Sequence, residues 1–228
     1  IGDLLQANEY RTDTYIQPLA YFEGAIPGYL AVLEQPGEIV ITARSSESNL
    51  SAPKVVHCNV SSWNRISDNV MPPRVKAITN YQNSRYVSTE SQINGYDFGI
   101  ILNREGKVAE ASYACLFIVR DGVAFTPPLS AGILESITRE VVKELLEKEL
   151  AVPVVERDVE RTELYIADEV FICGTAVEVQ AVGSVDKYQV GNGETGPVVA
   201  RLRELYHDAV RNESPQRAAW CTPVYRSL

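Results

Sequence analysis

The stretch EASYACLFIVRDGVAFTPPLSAGILESITREVVKELLEKEL, residues 110–150, combines two strands, a tight turn and a capped helix. An apolar run from Leu116 to Val119 is followed by Asp121-Gly122, a dipeptide typical of a two-residue hairpin turn. A second apolar run, from Val123 to Thr126, is then expected to return as the partner strand. The pattern therefore predicts a β-hairpin that ends at Pro127-Pro128.

The helix that follows is predicted from its cap and its periodicity. Ser136 is a residue type that favours the N-cap position, and the apolar residues after it recur at helical spacing. The backbone N–H groups of Ser136, Ile137 and Thr138 would lie at the positive end of the helix dipole, where phosphate groups bind. Ordinary capping without an anion is the alternative, and the local sequence alone favours it.

The order of the predicted elements indicates an α+β fold with two domains. Residues 1–50 should form the remainder of a small N-terminal domain and an interdomain linker, and residues 51–228 a larger domain. Strands are predicted at Thr14–Phe22 and Glu38 to Ala43, on either side of a Gly/Pro-rich loop from Gly24 to Gly37. The helical pattern at the very start of the sequence lacks a start signal. We therefore expect the small domain to be incomplete and the chain to be truncated.

Composition and charge exclude several classes of protein. Hydrophobic residues make up 45% of the sequence and charged residues 22%, as in ordinary globular proteins. The net charge of −9 and the pI near 4.9 argue against a nucleic-acid partner. No apolar run approaches the roughly 20 residues of a membrane helix, so we expect no membrane partner and a cytoplasmic location. The cysteines lack metal-binding spacing, and we expect no metal and four buried free thiols: Cys58, Cys115, Cys173 and Cys221.

Four motifs in order carry a resemblance to a known family. They are SSWNR (61–65), VKAITNYQNS (75–84), GKVAEASYACLFIVRDGVAFTPPLSAGILESITREVV (106–142) and ADEVFICGTAVEVQAVGSVD (167–186). With them the chain resembles the fold-type IV pyridoxal-phosphate enzymes, which include branched-chain and D-amino-acid aminotransferases and aminodeoxychorismate lyase. It is most similar to the branched-chain aminotransferases. The resemblance implies a pyridoxal 5'-phosphate cofactor, amino acid and 2-oxo acid substrates, and a homodimer.

Three residues receive a chemical role from this resemblance. Lys76 is the lysine that would bind the cofactor covalently and then act as a base, although spacing alone favours an exposed structural lysine. Tyr81 is the phenol that would hydrogen-bond the ring oxygen of the cofactor, with a helix-packing tyrosine as the alternative. Glu110 is the carboxylate that would face the pyridine nitrogen and keep it protonated, with a solvent-facing strand residue as the alternative.

The remaining contacts are implied in the same way. Ile137 and Thr138, after Ser136 at the helix start, would bind the cofactor phosphate together with Thr175. Thr175 belongs to the turn Gly174-Thr175-Ala176, whose N–H groups would also receive a substrate carboxylate. Arg65 is a further candidate for a pocket contact, and a surface salt bridge is its alternative.

The chain departs from the family pattern at three places. Cys115 stands where asparagine is common, and Glu135-Ser136 stands where Pro-Gly is common. The Tyr-Ile-Arg-Pro motif of the branched-chain enzymes is Tyr15-Ile16-Gln17-Pro18 here, so Tyr15 and Gln17 are candidate substrate-binding residues with an altered preference. Family members also carry an additional N-terminal segment, which contributes an arginine to the phosphate site and is not in this sequence.

Three functions stay open from the sequence. The leading hypothesis is a branched-chain-like aminotransferase. A D-amino-acid or amine transaminase, or a lyase of the same fold, would share the cofactor contacts and differ in the substrate pocket. A truncated, non-catalytic paralogue that binds the cofactor is the third.

Overall fold

The computed structural model of the chain describes residues 1–22, 36–50 and 54–225. It contains two compact units, one made of Ile1–Ser48 with Thr222–Leu228 and the other of Asn49–Cys221.

The division between the units lies close to the predicted one at residue 50, but the C-terminal residues differ from the prediction. They were expected in the second domain, whereas those from Thr222 onward cluster with the first unit. The reason is a long-range anchor, because the Tyr225 hydroxyl donates to the carbonyl oxygens of Leu5 and Tyr10. The guanidinium of Arg11 also lies over the Tyr225 ring, 3.6 Å from its centroid.

The first unit contains a short helix and a two-stranded sheet. Helix α1 (Gly2–Ala7) follows Ile1 without a side-chain cap, in agreement with the missing start signal. Strand β1 (Thr14–Phe22) pairs antiparallel with β2 (Gly37–Ser45), and the bounds of β1 are those predicted. Residues 24–35 of the predicted Gly/Pro-rich loop lie outside the described residues.

The second unit is built on a nine-stranded mixed sheet with the order β5-β4-β3-β10-β9-β6-β7-β8, and β11 pairs with β10. Its strands are β3 (Val56–Asn64), β4 (Phe98–Leu102), β5 (Val108–Ala111), β6 (Cys115–Arg120), β7 (Val123–Thr126), β8 (Val154–Glu156), β9 (Glu169–Gly174), β10 (Glu178–Val185) and β11 (Tyr188–Gln189). Its helices are α2 (Tyr81–Ile93), α3 (Ile137–Glu149) and α4 (Pro197–Val210).

The central strands β6 and β9 are buried on both faces, which explains their continuous apolar sequences. On one face the rings of Phe117 and Phe171 stack with centroids 4.9 Å apart, and Leu145 of α3 and Leu202 of α4 complete that layer. On the other face, Ile118 and its neighbours pack into a second cluster. The sheet therefore has a core on each side.

The β6–β7 hairpin predicted from Asp121-Gly122 is confirmed. Both residues have positive φ, 51° and 77°, as a type I′ turn requires, and Arg120 pairs with Val123 across it. The predicted helix start at Ser136 is also confirmed, because its hydroxyl accepts a hydrogen bond from the Arg139 N–H at 3.3 Å.

The thiol prediction holds for three of the four cysteines. All four are free, and Cys58, Cys115 and Cys173 are buried, whereas Cys221 is only partly buried. Burial raises the pKa of the Cys115 thiol to about 12. Across the described ranges, no helix is both long and apolar enough to cross a membrane.

Candidate active site

Strand polarity brings most of the candidate residues of the second unit to one edge of the sheet. Cys115, the first residue of β6, pairs with Cys173 near the end of the antiparallel strand β9. The start of β6 and the end of β9 therefore lie side by side. Helix α3 begins at the same place, because the side chain of Ser136 hydrogen-bonds with Cys115. Strand β5 ends there as well, since a tight turn joins Ala111 to Ala114.

A buried ion pair lies at the end of β5. The Glu110 Oε1 atom is 3.0 Å from Nη2 of Arg65, and the two side chains are only 8% and 5% exposed. Glu110 Oε2 also accepts a hydrogen bond from the Leu134 N–H at 3.1 Å, and Arg65 Nε donates to the Gly132 carbonyl at 2.9 Å. Neither the solvent-facing alternative for Glu110 nor the surface salt bridge for Arg65 is correct.

Burial and charge act in opposite directions on this carboxyl group. Burial raises the pKa of Glu110, while the Arg65 guanidinium and the Leu134 N–H oppose that shift. Arg65 and the Leu134 N–H thus help to hold a carboxylate in a place where an isolated one would take up a proton.

Tyr81 opens helix α2 and faces the β5–β6 turn. Its ring stacks with that of Tyr113, with centroids 6.3 Å apart and an interplanar angle of 12°. The preceding loop is held by the Asn80 amide, which donates to the carbonyl oxygens of Pro72 and Val75 at 2.8 and 2.9 Å. The phenol is therefore positioned by the same turn that follows Glu110.

Lys76 lies in this loop between β3 and α2, and its side chain is exposed. Two residues earlier, Arg74 pairs with Glu135 at 3.4 Å, directly before the cap of α3. Four residues later, Asn80 leads into Tyr81. The Lys76 amine has no ion-pair or hydrogen-bond partner within the described part of the chain. An unpaired amine on a loop tied to both α3 and α2 is available for reaction.

The first turn of α3 offers two unused donors. The N–H of Arg139 donates to the Ser136 hydroxyl. The N–H groups of Ile137 and Thr138 have no acceptor among the residues that the structure describes. The Ile137 side chain is 86% exposed, whereas Thr138 is buried and its hydroxyl bonds with Tyr206. Two free N–H groups at a helix start can bind one anion.

The Gly174-Thr175-Ala176 turn lies beside the same edge. A side chain at Gly174 would come within 3.4 Å of the Tyr113 carbonyl oxygen, so the two turns are in close contact. Thr175 and Ala176 are exposed, and the Asn49 side-chain amide donates a hydrogen bond of 2.9 Å to the Ala176 carbonyl oxygen. Tyr15 and Gln17 lie on β1 of the first unit, where they pair with Arg44 and Thr42.

The chemical groups at this edge suit a planar phosphorylated cofactor. It would find an ion-paired carboxylate, two free N–H groups and a free amine in the second unit. The buried Ser112 hydroxyl, two residues after Glu110, also lacks a partner among the described residues, as expected of a polar group beside a ligand site.

The family model described as "Amino-transferase class IV" matches residues 2–185. The chain belongs to this family. Among curated class IV aminotransferases, it is 43% identical to a probable branched-chain-amino-acid aminotransferase of Aquifex aeolicus (strain VF5), over 98% of this chain and 71% of that protein. It is 36% identical to the branched-chain-amino-acid aminotransferase of Escherichia coli (strain K12), over 97% of this chain and 72% of that protein.

Solved class IV aminotransferases share the fold. The branched-chain amino acid aminotransferase of Thermobaculum terrenum in its PLP form superposes with a TM-score of 0.94 at 43% identity, covering 99% of this chain and 73% of that one. The branched-chain aminotransferase of Thermoproteus uzoniensis with norvaline gives 0.92 at 37% identity, covering 98% of this chain and 73% of that one. The predicted fold class and the predicted family are both confirmed.

Sequence reasoning missed several residues of this aminotransferase. Ser112, Tyr113 and Leu134 received no role, although each contacts or neighbours a predicted site residue. Their signal was weak, because a turn serine, an exposed tyrosine and a backbone N–H carry no motif of their own.

Proposed function

We propose that this class IV aminotransferase uses pyridoxal 5'-phosphate to move an amino group between an amino acid and a 2-oxo acid. The observation that carries the proposal is the buried Glu110–Arg65 pair, at the edge of the sheet where α3 begins with two free N–H groups. One solved relative is in its PLP form, and a second solved branched-chain aminotransferase is complexed with N-(5'-phosphopyridoxyl)-L-glutamate.

Each candidate residue has a distinct task in this proposal. When bound, the cofactor supplies the electron sink that stabilises negative charge at the substrate α-carbon. Glu110 holds a proton at the ring nitrogen, and Arg65 orients the Glu110 carboxylate. Tyr81 donates a hydrogen bond to the ring oxygen. Lys76 would hold the cofactor through its aldehyde group, and its amine, once free, would move the α-proton as general base.

Backbone groups bind the anionic ends of the ligands. The N–H groups of Ile137 and Thr138, together with Thr175, hold the phosphate. The turn that contains Thr175 and Ala176 receives the substrate carboxylate. Because all four cysteines are free thiols, a reducing compartment suits the protein, and the cytoplasm is its proposed location.

Amino-group transfer by the full chain tests the proposal. The chain is loaded with pyridoxal 5'-phosphate and assayed with branched-chain, aromatic and D-amino acids, glutamate and simple amines against several 2-oxo acids. Transfer from branched-chain amino acids supports the proposal. Cofactor binding without transfer would identify a non-catalytic paralogue, and substrate cleavage without transfer would identify a lyase.

Gln17 should weaken the use of glutamate as a donor. In the branched-chain enzymes the arginine of this motif helps to receive the distal carboxylate, and an amide replaces it here. A hydrogen bond to a charged group contributes about 1.5–3 kcal/mol and a neutral one about 0.5–1.5 kcal/mol. In Gln17→Arg, kcat/KM for glutamate relative to leucine should therefore rise roughly tenfold.

Arg44 is the alternative candidate for contact with the distal carboxylate. It pairs directly with Tyr15 across the β1–β2 sheet, and its guanidinium lies 4.8 Å from the Tyr15 ring centroid. If wild type has equal kcat/KM values for glutamate and leucine, and Gln17→Arg leaves their ratio unchanged, the interpretation of Gln17 is wrong. Loss of glutamate activity in Arg44→Gln would then assign the carboxylate contact to Arg44.

A second copy of the chain is the proposed partner. Trp63 stacks with Tyr86 at a centroid distance of 5.0 Å, yet both are nearly half exposed. Ile93 lies seven residues after Tyr86, on the same face of α2, and is 80% exposed. We expect sedimentation velocity of the cofactor-saturated protein to give twice the chain mass of 25.2 kDa. The substitution Ile93→Asp should shift it to monomer, and a wild type that sediments only as monomer would contradict the dimer.

A further inference from the structure

Arg139 is a buried cation that has no role in the chemistry described above. It is the third residue of α3, its side chain is only 1% exposed, and it ranks first by volume among the fully buried side chains of the described residues. A buried guanidinium is stable only when its donors are used, and those of Arg139 are used. Nη2 donates to the Pro127 carbonyl at 3.0 Å and lies 2.8 Å from Glu156 Oε2.

These contacts attach the first turn of α3 to the ends of neighbouring strands. Thr126 and Glu156 are the last residues of β7 and β8, and they are partners in that parallel pair. Arg139 Nε approaches the Thr126 hydroxyl at 3.4 Å, and that hydroxyl donates to the Leu116 carbonyl of β6 at 2.9 Å. One side chain thus links the start of α3 to three strands.

The first turn has few other attachments. The Ile137 side chain is 86% exposed and contributes little packing. The Ser136 hydroxyl bonds with Cys115 and caps the helix, and Thr138 bonds with Tyr206 of α4. Among the described residues of this turn, Arg139 contacts β7 and β8 directly, whereas Glu140 reaches Glu156 only through Lys143. Loss of the Arg139 side chain would therefore remove the direct contacts that hold the turn against these strands.

The charge of Arg139 is balanced locally. Glu140 Oε1 lies 2.9 Å from its Nη1, and Lys143 bridges Glu140 and Glu156. Two cations and two carboxylates leave no net charge in this group. Arg139 therefore adds little field at the helix start, and its effect on an anion there is geometric.

We propose that Arg139 is a positioning residue for the cofactor phosphate, a proposal that rests on the proposed function. It fixes the first turn of α3 so that the N–H groups of Ile137 and Thr138 point at the same phosphate. It does not contact the phosphate itself, because its backbone N–H bonds to the Ser136 hydroxyl and its guanidinium bonds to Thr126, Pro127, Glu140 and Glu156.

The test compares two ligands that differ only in the phosphate. Pyridoxal 5'-phosphate and pyridoxal share the aldehyde and the ring nitrogen. Pyridoxal also closes to an internal hemiacetal, but this is the same for every variant, so the change in the ratio of the two dissociation constants from wild type to variant reports the phosphate site. These constants are measured by fluorescence titration of the full chain after cofactor removal, in wild type, Arg139→Met and Arg139→Lys. Arg217→Met is the matched control, because buried Arg217 binds Glu149 at 2.6 Å at the opposite end of α3.

We expect Arg139→Met to raise the dissociation constant of pyridoxal 5'-phosphate by at least about tenfold. The displaced N–H groups of Ile137 and Thr138 would lose hydrogen bonds to the charged phosphate. Pyridoxal binding should change less than about twofold. Arg139→Lys should show the same selective loss, because one ammonium cannot reproduce the forked contacts to Pro127 and Glu156. Arg217→Met should lower the melting temperature and leave the ratio unchanged.

Two results would contradict a positioning role for Arg139. Equal weakening of both ligands, or a lower melting temperature with an unchanged ratio, would show that Arg139 is only structural. If Arg139→Met does not fold, Arg139→Lys decides between these outcomes. A wild type that binds neither ligand would instead contradict the proposed function.

Discussion

Replacement of Lys76 by alanine is expected to abolish amino-group transfer, with kcat lower by at least about 10³-fold. The Lys76 amine has two tasks in the proposed reaction, covalent attachment of the cofactor and transfer of the α-proton. Alanine can perform neither, and the side chain has no partner among the described residues whose loss would disturb the fold. Stopped-flow assays of both half-reactions, with the visible absorbance of the lysine-bound cofactor, measure the two effects.

Lys54 supplies the control for this substitution. Its side chain is 70% exposed, and its amine lies 3.5 Å from Asp97 in a surface ion pair, which contributes little to stability. Lys54→Ala should keep both the absorbance and the activity. Retention of transfer and of the visible band in Lys76→Ala would require a different lysine, and the proposed reaction centre would then be misplaced.

Replacement of Glu110 by glutamine should separate cofactor binding from turnover. The amide cannot hold a proton at the ring nitrogen, so stabilisation of the carbanion is lost and kcat should fall by about 10²–10⁴-fold. The phosphate contacts and Lys76 are unchanged, so the dissociation constant of the cofactor should change much less. A matched set of kcat, KM and cofactor affinity values tests this expectation.

The same substitution disturbs the buried pair with Arg65. Arg65 and the Leu134 N–H use different oxygens of the Glu110 carboxylate, and glutamine would place an NH2 donor at one of these two positions, where it cannot accept. Loss of one buried partner should lower the free energy of unfolding by about 1–3 kcal/mol. Arg65→Met is the companion variant, since it leaves Glu110 without its cation. If cofactor binding and turnover fall in parallel in Glu110→Gln, the carboxylate is structural.

Local signals were sufficient for the elements around the site. The hairpin at Asp121-Gly122 and the cap at Ser136 are each specified by a few adjacent residues, and both have the expected geometry. The short 3₁₀ segment at Pro215–Trp220 was missed, because it is held by a tertiary contact between Arg217 and Glu149. A sequence pattern shows which secondary structure a segment prefers, but it does not show which distant residues the segment contacts.

The contacts within the candidate site also could not be predicted from local sequence patterns. Glu110 and Arg65 were each identified through motif resemblance, but their pairing joins β5 to the residue after β3 and depends on the order of strands in the sheet. Arg139 was missed for a related reason. A charged residue in the first turn of an amphipathic helix is ordinarily solvent-facing, and only the packing of β7 and β8 makes it buried.

The anchor of Tyr225 on Leu5 and Tyr10 bears on the order in which the chain folds during synthesis. The two ends of the Tyr225–Leu5 hydrogen bond are 220 residues apart in sequence, so the first unit lacks this contact until nearly all of the second has been translated. The second unit, Asn49–Cys221, is continuous in sequence, and domains generally fold as units during synthesis. Folding of the second unit shortens the free chain between the two ends, and this lowers the entropy lost when Tyr225 docks. We therefore expect the sheet that carries Glu110 to form before the first unit is complete.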